Sequence, residues 1–190
     1  MTKIRVAIFA SGTGSNAVNL IHFFKNHDSI EVAFVLSNKA DAPVLESAQN
    51  LGIATINCTN SEAGEAGFLT NICRAENINW IVLAGYLRLI PTDLIQAFPN
   101  KIINLHPALL PKYGGKGMHG RNVHNAIIAN RETESGITVH FVNEEFDSGR
   151  IIAQFHCSLD LNDTVESLEA KIRYLEQSYF PVVVQTTLLN

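Results

Sequence analysis

Residues 4–24 read IRVAIFASGTGSNAVNLIHFF, and this stretch decides the fold. A run rich in β-branched and aromatic residues, 4–10, leads directly into a glycine-rich turn. Apolar residues at helical spacing follow, at Val18, Ile21 and Phe24. Strand, turn and helix in immediate succession form the opening unit of an α/β protein. Comparable apolar runs recur at 30–36, 53–57, 79–84 and 101–105, with helically spaced segments between them. This alternation predicts a mostly parallel sheet with helices on both faces, because near-continuous apolar strands are the ones buried on both sides. After residue 130 the rhythm changes. Segments 136–143 and 151–158 follow one another through Asp147-Ser148-Gly149 with no helix between, which predicts an antiparallel C-terminal strand pair. A closing helix is expected, with Asp163 as its cap and Glu166 three residues on, then Val165, Leu168, Ile172 and Leu175 at helical intervals. No repeat, linker or low-complexity stretch intervenes, so one domain over 1–190 is expected.

Composition narrows the function classes. The chain is 46% apolar and 17% charged, which suits a folded globule and not a disordered one. A net charge of −4 speaks against a nucleic-acid partner, although a local nest of backbone N–H groups can hold a small anion at any global charge. Cys58, Cys73 and Cys157 are odd in number and form no CxxC pair; they are expected to be buried thiols of a reducing compartment. No apolar run reaches the roughly 18 to 20 residues needed to span a bilayer. The start, MTKIR, runs straight into strand one without a signal-peptide pattern, so a cytoplasmic location with no membrane partner is expected. His119 and His124 lie five apart with no carboxylate or cysteine at ligand spacing; they read as surface histidines, and no metal is expected.

Three segments carry chemistry. In Ser11-Gly12-Thr13-Gly14-Ser15-Asn16 the glycines allow positive φ, and Ser15 and Asn16 can cap the following helix. A third glycine is missing at Ala17, and Ser37-Asn38-Lys39 stands where a dinucleotide site needs an acid. The turn is therefore either a well-capped βα connection or a site for a phosphate monoester. In the second segment, Asn104 and His106 end a buried strand before Pro107 and Pro111. Strand alternation points both side chains the same way, at the carboxyl edge where open α/β sheets bind ligands. An amide beside an imidazole can hold an oxyanion and move a proton. In the third, GITVHFVNEEFDSG at 136–149, Asp147 is either a turn former or a carboxylate for His106, whose pKa it would raise. His140, inside the apolar strand, needs a hydrogen-bond partner if buried, while Glu144 and Glu145 read as solvated.

Taken together, SGTGSN after strand one, NLHPALLPKY and GITVHFVNEEFDSG closely resemble the phosphoribosylglycinamide formyltransferase family of the folate-dependent formyltransferase superfamily, as do LAGYLRLI at 83–90 and the closing helix with Glu176. The resemblance covers nearly the whole chain. It implies a Rossmann-like, mostly parallel sheet of about seven strands with its site at the carboxyl edge. Glycinamide ribonucleotide would set its phosphate among Gly12, Thr13, Gly14, Ser15 and Asn16 and its ribose against Glu176. Its amine would attack the formyl carbon of 10-formyltetrahydrofolate, the co-substrate. Asn104 and His106 would hold the oxyanion, Asp147 would manage the proton through an ordered water, and His140 would support them. Arg88, Leu89 and Ile90, with Asn104, Asn143, Glu144 and Asp147, would line the folate pocket. A monomer or homodimer is implied. The loop GGKGMHG at 114–120 departs from the family pattern; from its glycines, residues 113–120 are expected to be mobile without substrate and to order on binding. Within the superfamily, formyltetrahydrofolate hydrolysis is disfavoured because strand one begins at residue 4, leaving no place for a regulatory domain before it. Initiator-tRNA formylation is disfavoured by the missing RNA-binding domain and the acidic total, and sugar-nucleotide formylation by the expected C-terminal extension. A nucleotide-binding module without catalysis is set aside because Asn104, His106 and Asp147 are all present.

Overall fold

The structure is a computed structural model describing residues 2–190. Its strands are β1 (Ile4–Phe9), β2 (Ile30–Ser37), β3 (Ala54–Asn57), β4 (Trp80–Leu83), β5 (Ile102–His106), β6 (Glu134–Phe141) and β7 (Ile151–Ser158). The α-helices are α1 (Ser15–Phe24), α2 (Pro43–Asn50), α3 (Phe68–Ala75), α4 (Thr92–Ala97), α5 (Arg121–Ala129) and α6 (Val165–Leu189). The seven strands form one sheet in the order β3-β2-β1-β4-β5-β6-β7. Two compact units make up the chain, Met1–Ile103 and Asn104–Asn190, and the division falls inside β5.

The first unit is the strand–helix alternation expected from the sequence. β1 pairs in parallel with β2 and with β4, and β2 with β3. Ala7, Ile8 and Phe9 of β1 and Val35 and Leu36 of β2 are fully buried, as two-sided coverage of central strands requires. Helix α1 presents Ala17, Leu20, Ile21 and Phe24 to the core. Its start differs from expectation: Gly14 holds the cap position at φ 73°, and neither Ser15 nor Asn16 caps the helix. The reason is packing. A Cβ on Gly14 would sit 2.1 Å from Val44 Cγ2 of α2, so the turn passes too close to that helix for any side chain.

In the second unit β6 and β7 form the expected antiparallel pair, with Ile137 opposite Phe155 and Thr138 opposite Gln154. Helix α6 packs on both strands and stacks Tyr179 on Phe155 at 4.1 Å. Its cap is Thr164, not Asp163: Thr164 and Ser167 exchange side-chain and backbone hydrogen bonds in a capping box. Asp163 instead accepts from Ser167 Oγ at 2.6 Å and pairs with Lys171 Nζ at 2.6 Å, a partner two turns away that lies beyond the span of a cap pattern. Cys58 and Cys73 are buried as expected, whereas Cys157 on β7 is only half-buried. The outermost position of β7 in the sheet, with no strand beyond it, leaves that thiol partly open. Among the described residues no helix is long and apolar enough to cross a membrane.

Candidate active site

The glycine-rich turn of the first unit is fastened from beneath by a polar network that the sequence reading missed. Ser11 is buried; its hydroxyl donates to Asn38 Oδ1 at 2.6 Å and accepts from the Leu87 N–H at 2.9 Å. Asn38 Nδ2 in turn donates to Asn60 Oδ1 at 2.7 Å. Ends of β1, β2 and β4 are thus tied through one hydroxyl, and the Asn38 amide adds the segment after β3. Above it Gly12, Thr13 and Ser15 are exposed, leaving the turn's outer face open to a ligand. Asn38 stood in the Ser37-Asn38-Lys39 segment noticed only for its lack of an acid; a short polar side chain at a buried strand end was the available signal. After β4, Arg88 and Leu89 are exposed while Ile90 is buried.

In the second unit the structure brings Asn104, His106, His140 and Asp147 together. β5 supplies the first two and β6 the third, all three by strand alternation. The β6–β7 loop delivers Asp147 in the left-handed backbone region, φ 53°. That loop is shaped by Asn143, whose Oδ1 accepts from the Glu145 N–H at 3.2 Å and Ser148 Oγ at 2.9 Å. It also needs Gly149, where a Cβ would fall 1.8 Å from the Phe141 carbonyl oxygen. Asn143 therefore builds the turn, and Glu144 and Glu145 are exposed as expected. Glu176 lies half-buried on α6.

The hydrogen bonds fix proton positions. His140 Nδ1 lies 2.8 Å from the Phe141 carbonyl, which only accepts, so Nδ1 carries the proton. Its Nε2 lone pair then accepts from Asn104 Nδ2 at 3.0 Å, and the other Asn104 Nδ2 hydrogen points to Asp147 Oδ1 at 3.4 Å. His106 Nε2 lies 2.8 Å from the Tyr113 carbonyl and donates to it, leaving Nδ1 facing Asp147 Oδ2 at 3.5 Å. Asp147 Oδ2 also accepts from the Gly115 N–H at 3.0 Å.

Electrostatics follow from this enclosure. Burial pushes the His106 pKa below the ordinary histidine value, outweighing the opposite pull of the Asp147 carboxylate and the Tyr113 carbonyl. The expected upward shift is thus overturned: the carboxylate acts in the anticipated direction, but a nearly dry imidazole loses more from desolvation than it gains. For Asp147, burial works upward, yet the neighbouring His140 and His106 and the Gly115 N–H leave its carboxyl below the usual range. A buried imidazole with one lone pair, set against a carboxylate that stays ionised, can accept a proton and hold it as an ion pair. His119 is exposed as expected, but His124 is buried on α5, against the expectation of a surface residue. Its helix turns it inward beside Val123 and Ile127, burial lowers its pKa, and Nδ1 has no partner. No group of three or more metal-ligating side chains is placed to hold an ion among the described residues.

Comparison with known proteins identifies the family. Residues 4–184 match the formyl transferase family. Phosphoribosylglycinamide formyltransferase of Bacillus subtilis is 35% identical over 190 residues, covering 97% of this chain and 94% of its own. The chloroplastic phosphoribosylglycinamide formyltransferase of Arabidopsis thaliana is 39% identical over 95% of this chain, which spans only 64% of that relative's length. Among solved structures, glycinamide ribonucleotide transformylase 1 of Geobacillus kaustophilus superposes with a TM-score of 0.88 at 32% identity, covering 99% of this chain and 100% of its own. The match over residues 4–184 and a relative 35% identical over nearly its whole length show that this chain belongs to the formyl transferase family.

Proposed function

We propose that the chain transfers the formyl group of 10-formyltetrahydrofolate to the amine of glycinamide ribonucleotide, giving formylglycinamide ribonucleotide and tetrahydrofolate in purine biosynthesis. The observation that carries this is the buried His106 set 3.5 Å from the partly buried Asp147, with Asn104 beside them. Relatives named phosphoribosylglycinamide formyltransferase, one of them nearly equal in length, support the choice of acceptor. The amine nitrogen attacks the formyl carbon and its C–N bond forms. The carbonyl electrons move to oxygen, then return as the bond to folate N10 breaks. The amine loses one proton and N10 gains one, so the site must relay a single proton.

His106 Nδ1, facing Asp147, receives that proton, and the imidazolium so formed meets a carboxylate held ionised. The Asn104 hydrogen spanning 3.4 Å to Asp147 is the loosely held donor that turns to the oxyanion. His140 accepts the other Asn104 hydrogen and fixes which way the amide faces. Gly12, Thr13, Gly14, Ser15 and Asn16 take the substrate phosphate, Glu176 its ribose, and Arg88, Leu89, Ile90, Asn143 and Glu144 the folate. The chain acts in the cytoplasm as one formyltransferase domain over 1–190, monomeric or homodimeric.

The test is an assay with glycinamide ribonucleotide and a formylfolate, following absorbance as folate loses its formyl group. A control without the amine separates transfer from hydrolysis. His106→Ala and Asp147→Asn are each expected to lower kcat by about 10² to 10⁴ with the fold kept. Near-wild-type turnover in either purified variant overturns the assigned roles, and deformylation at equal rate without the amine replaces transfer by hydrolysis.

A further inference from the structure

Tyr113 adopts the left-handed backbone conformation, φ 57°, which is uncommon outside glycine and disfavoured for a bulky side chain. Its ring explains how this is sustained. The hydroxyl donates to Glu132 Oε1 at 2.8 Å and accepts from Asn130 Nδ2 at 2.9 Å, and Lys112 pairs with the same Glu132 at 3.2 Å. Asn130 and Glu132 belong to the turn between α5 and β6, so the ring is fastened to the framework of its unit. The backbone of the same residue enters the site. Its carbonyl takes the His106 Nε2 hydrogen at 2.8 Å, and two residues later the Gly115 N–H meets Asp147 Oδ2 at 3.0 Å. Between them Gly114 is pressed so close that a Cβ would lie 2.6 Å from Leu110 Cδ2 and 3.2 Å from Asp147 Cβ. Three consecutive residues hold both members of the His106–Asp147 pair.

A neutral imidazole has one N–H and here faces two acceptors, the Tyr113 carbonyl and the Asp147 carboxylate. The carboxylate is intrinsically the stronger acceptor, but at 3.5 Å it stands off, while the carbonyl sits at hydrogen-bond distance. The proton stays on Nε2 only while that carbonyl is held in place. We propose that Tyr113 is a positioning residue: anchored through its hydroxyl to Glu132 and Asn130, it keeps the His106 proton on Nε2 and so keeps the Nδ1 lone pair toward Asp147. Released, the ring would give its hydrogen to Asp147 from Nδ1, and the nitrogen that accepts the substrate's proton would already be occupied. The consequence for rate rests on the function proposed above; the proton position does not.

The experiment compares nitrogen NMR of the ¹⁵N-histidine-labelled full chain with its Tyr113→Phe variant near pH 7.5, the His106 signals being assigned through His106→Ala. The wild type is expected to show an N–H type shift at Nε2 and a lone-pair shift at Nδ1, and the variant to exchange them. Displacement of the residue 113 carbonyl, which the substitution itself leaves intact, withdraws an acceptor from the imidazolium, so the His106 titration moves to lower pH in the variant. Its kcat is expected to fall about tenfold with both KM values within about twofold, the size of one lost hydrogen bond in the transition state. Glu132→Gln, which still accepts from the hydroxyl, should retain at least about half the wild-type kcat on the same argument. Asn130→Ala, which removes one hydroxyl partner and keeps the ring, takes the place of Tyr113→Phe if that variant does not fold. An unchanged His106 proton position in the variant overturns the proposal, whatever happens to rate or melting temperature. If the wild type transfers no formyl group, the functional assignment falls and the NMR comparison still decides this one.

Discussion

Two glycine-rich loops serve this chain, and they are built on opposite principles. The 11–16 turn is short, clamped from below by the Ser11 hydroxyl, and contains a glycine, Gly14, whose missing Cβ is filled by Val44. The 113–120 loop is longer, and at Gly115, Gly117 and Gly120 an added Cβ would meet nothing within 4 Å. Those three are glycines for conformation alone, with φ of 94°, 88° and 53°. In the first loop packing dictates the backbone. In the second, past the tightly packed Gly114, a few hydrogen bonds do, and two of them, at Tyr113 and Gly115, reach the proposed proton relay. A loop held by packing gives a ligand a rigid seat, whereas one held by hydrogen bonds can be displaced at modest cost.

The comparison can be broken by substitution. Gly14→Ala should be the most damaging, at about 3 kcal/mol or more in urea denaturation, because a clash with Val44 adds to a left-handed backbone. Gly117→Ala should cost only about 1 kcal/mol, the conformational part alone. Similar losses in the two variants would abolish the distinction. Ser11→Ala comes next: it strands the Asn38 amide oxygen and the Leu87 N–H, for a loss of about 1 to 3 kcal/mol read by thermal melting. Hydrogen exchange sharpens the contrast without mutation. The Ser11 and Leu87 amides should be protected at least about tenfold more than those of 116–120, a gap of one modest opening free energy. The smallest effect is in pH. His106 and His124 both have folded-state pKa values below the ordinary histidine value because they are buried. For a base depressed in this way the unfolded chain binds the proton more readily, so stability is full above about pH 6.5 and declines as pH falls below it. His124→Gln should flatten that decline by about 1 kcal/mol or less between pH 7 and 5. An unflattened curve would place the acid sensitivity elsewhere.

How much of this was legible in the sequence follows the range of the interactions. All seven strands were visible as apolar runs, with ends displaced by one or two residues, because a two-faced buried strand imprints itself on consecutive positions. Asn104 and His106 were legible as a pair because strand alternation is local. Their meeting with Asp147 was not, since it depends on how a loop more than forty residues away returns to β5. Caps were misread at both ends of the chain. Asp163 and Ser15 have the right chemistry, but a lysine two turns on and a valine in α2 decided the outcome. His124 failed for a like reason: its surroundings are set by the helix face it falls on, which the spacing to His119 does not reveal. The direction of the His106 shift was lost because dryness is a property of the assembled unit.

The left-handed backbone at Asp147 bears on the chain's evolutionary latitude. At φ 53° a glycine would be relaxed and an asparagine comfortable, so drift that rewards robustness alone would erode the carboxylate. Aspartate at this position of the chain sets conformational tension in the native state against one negative charge. A library screened only for heat resistance should therefore enrich glycine at this position and deliver sturdy, inert proteins.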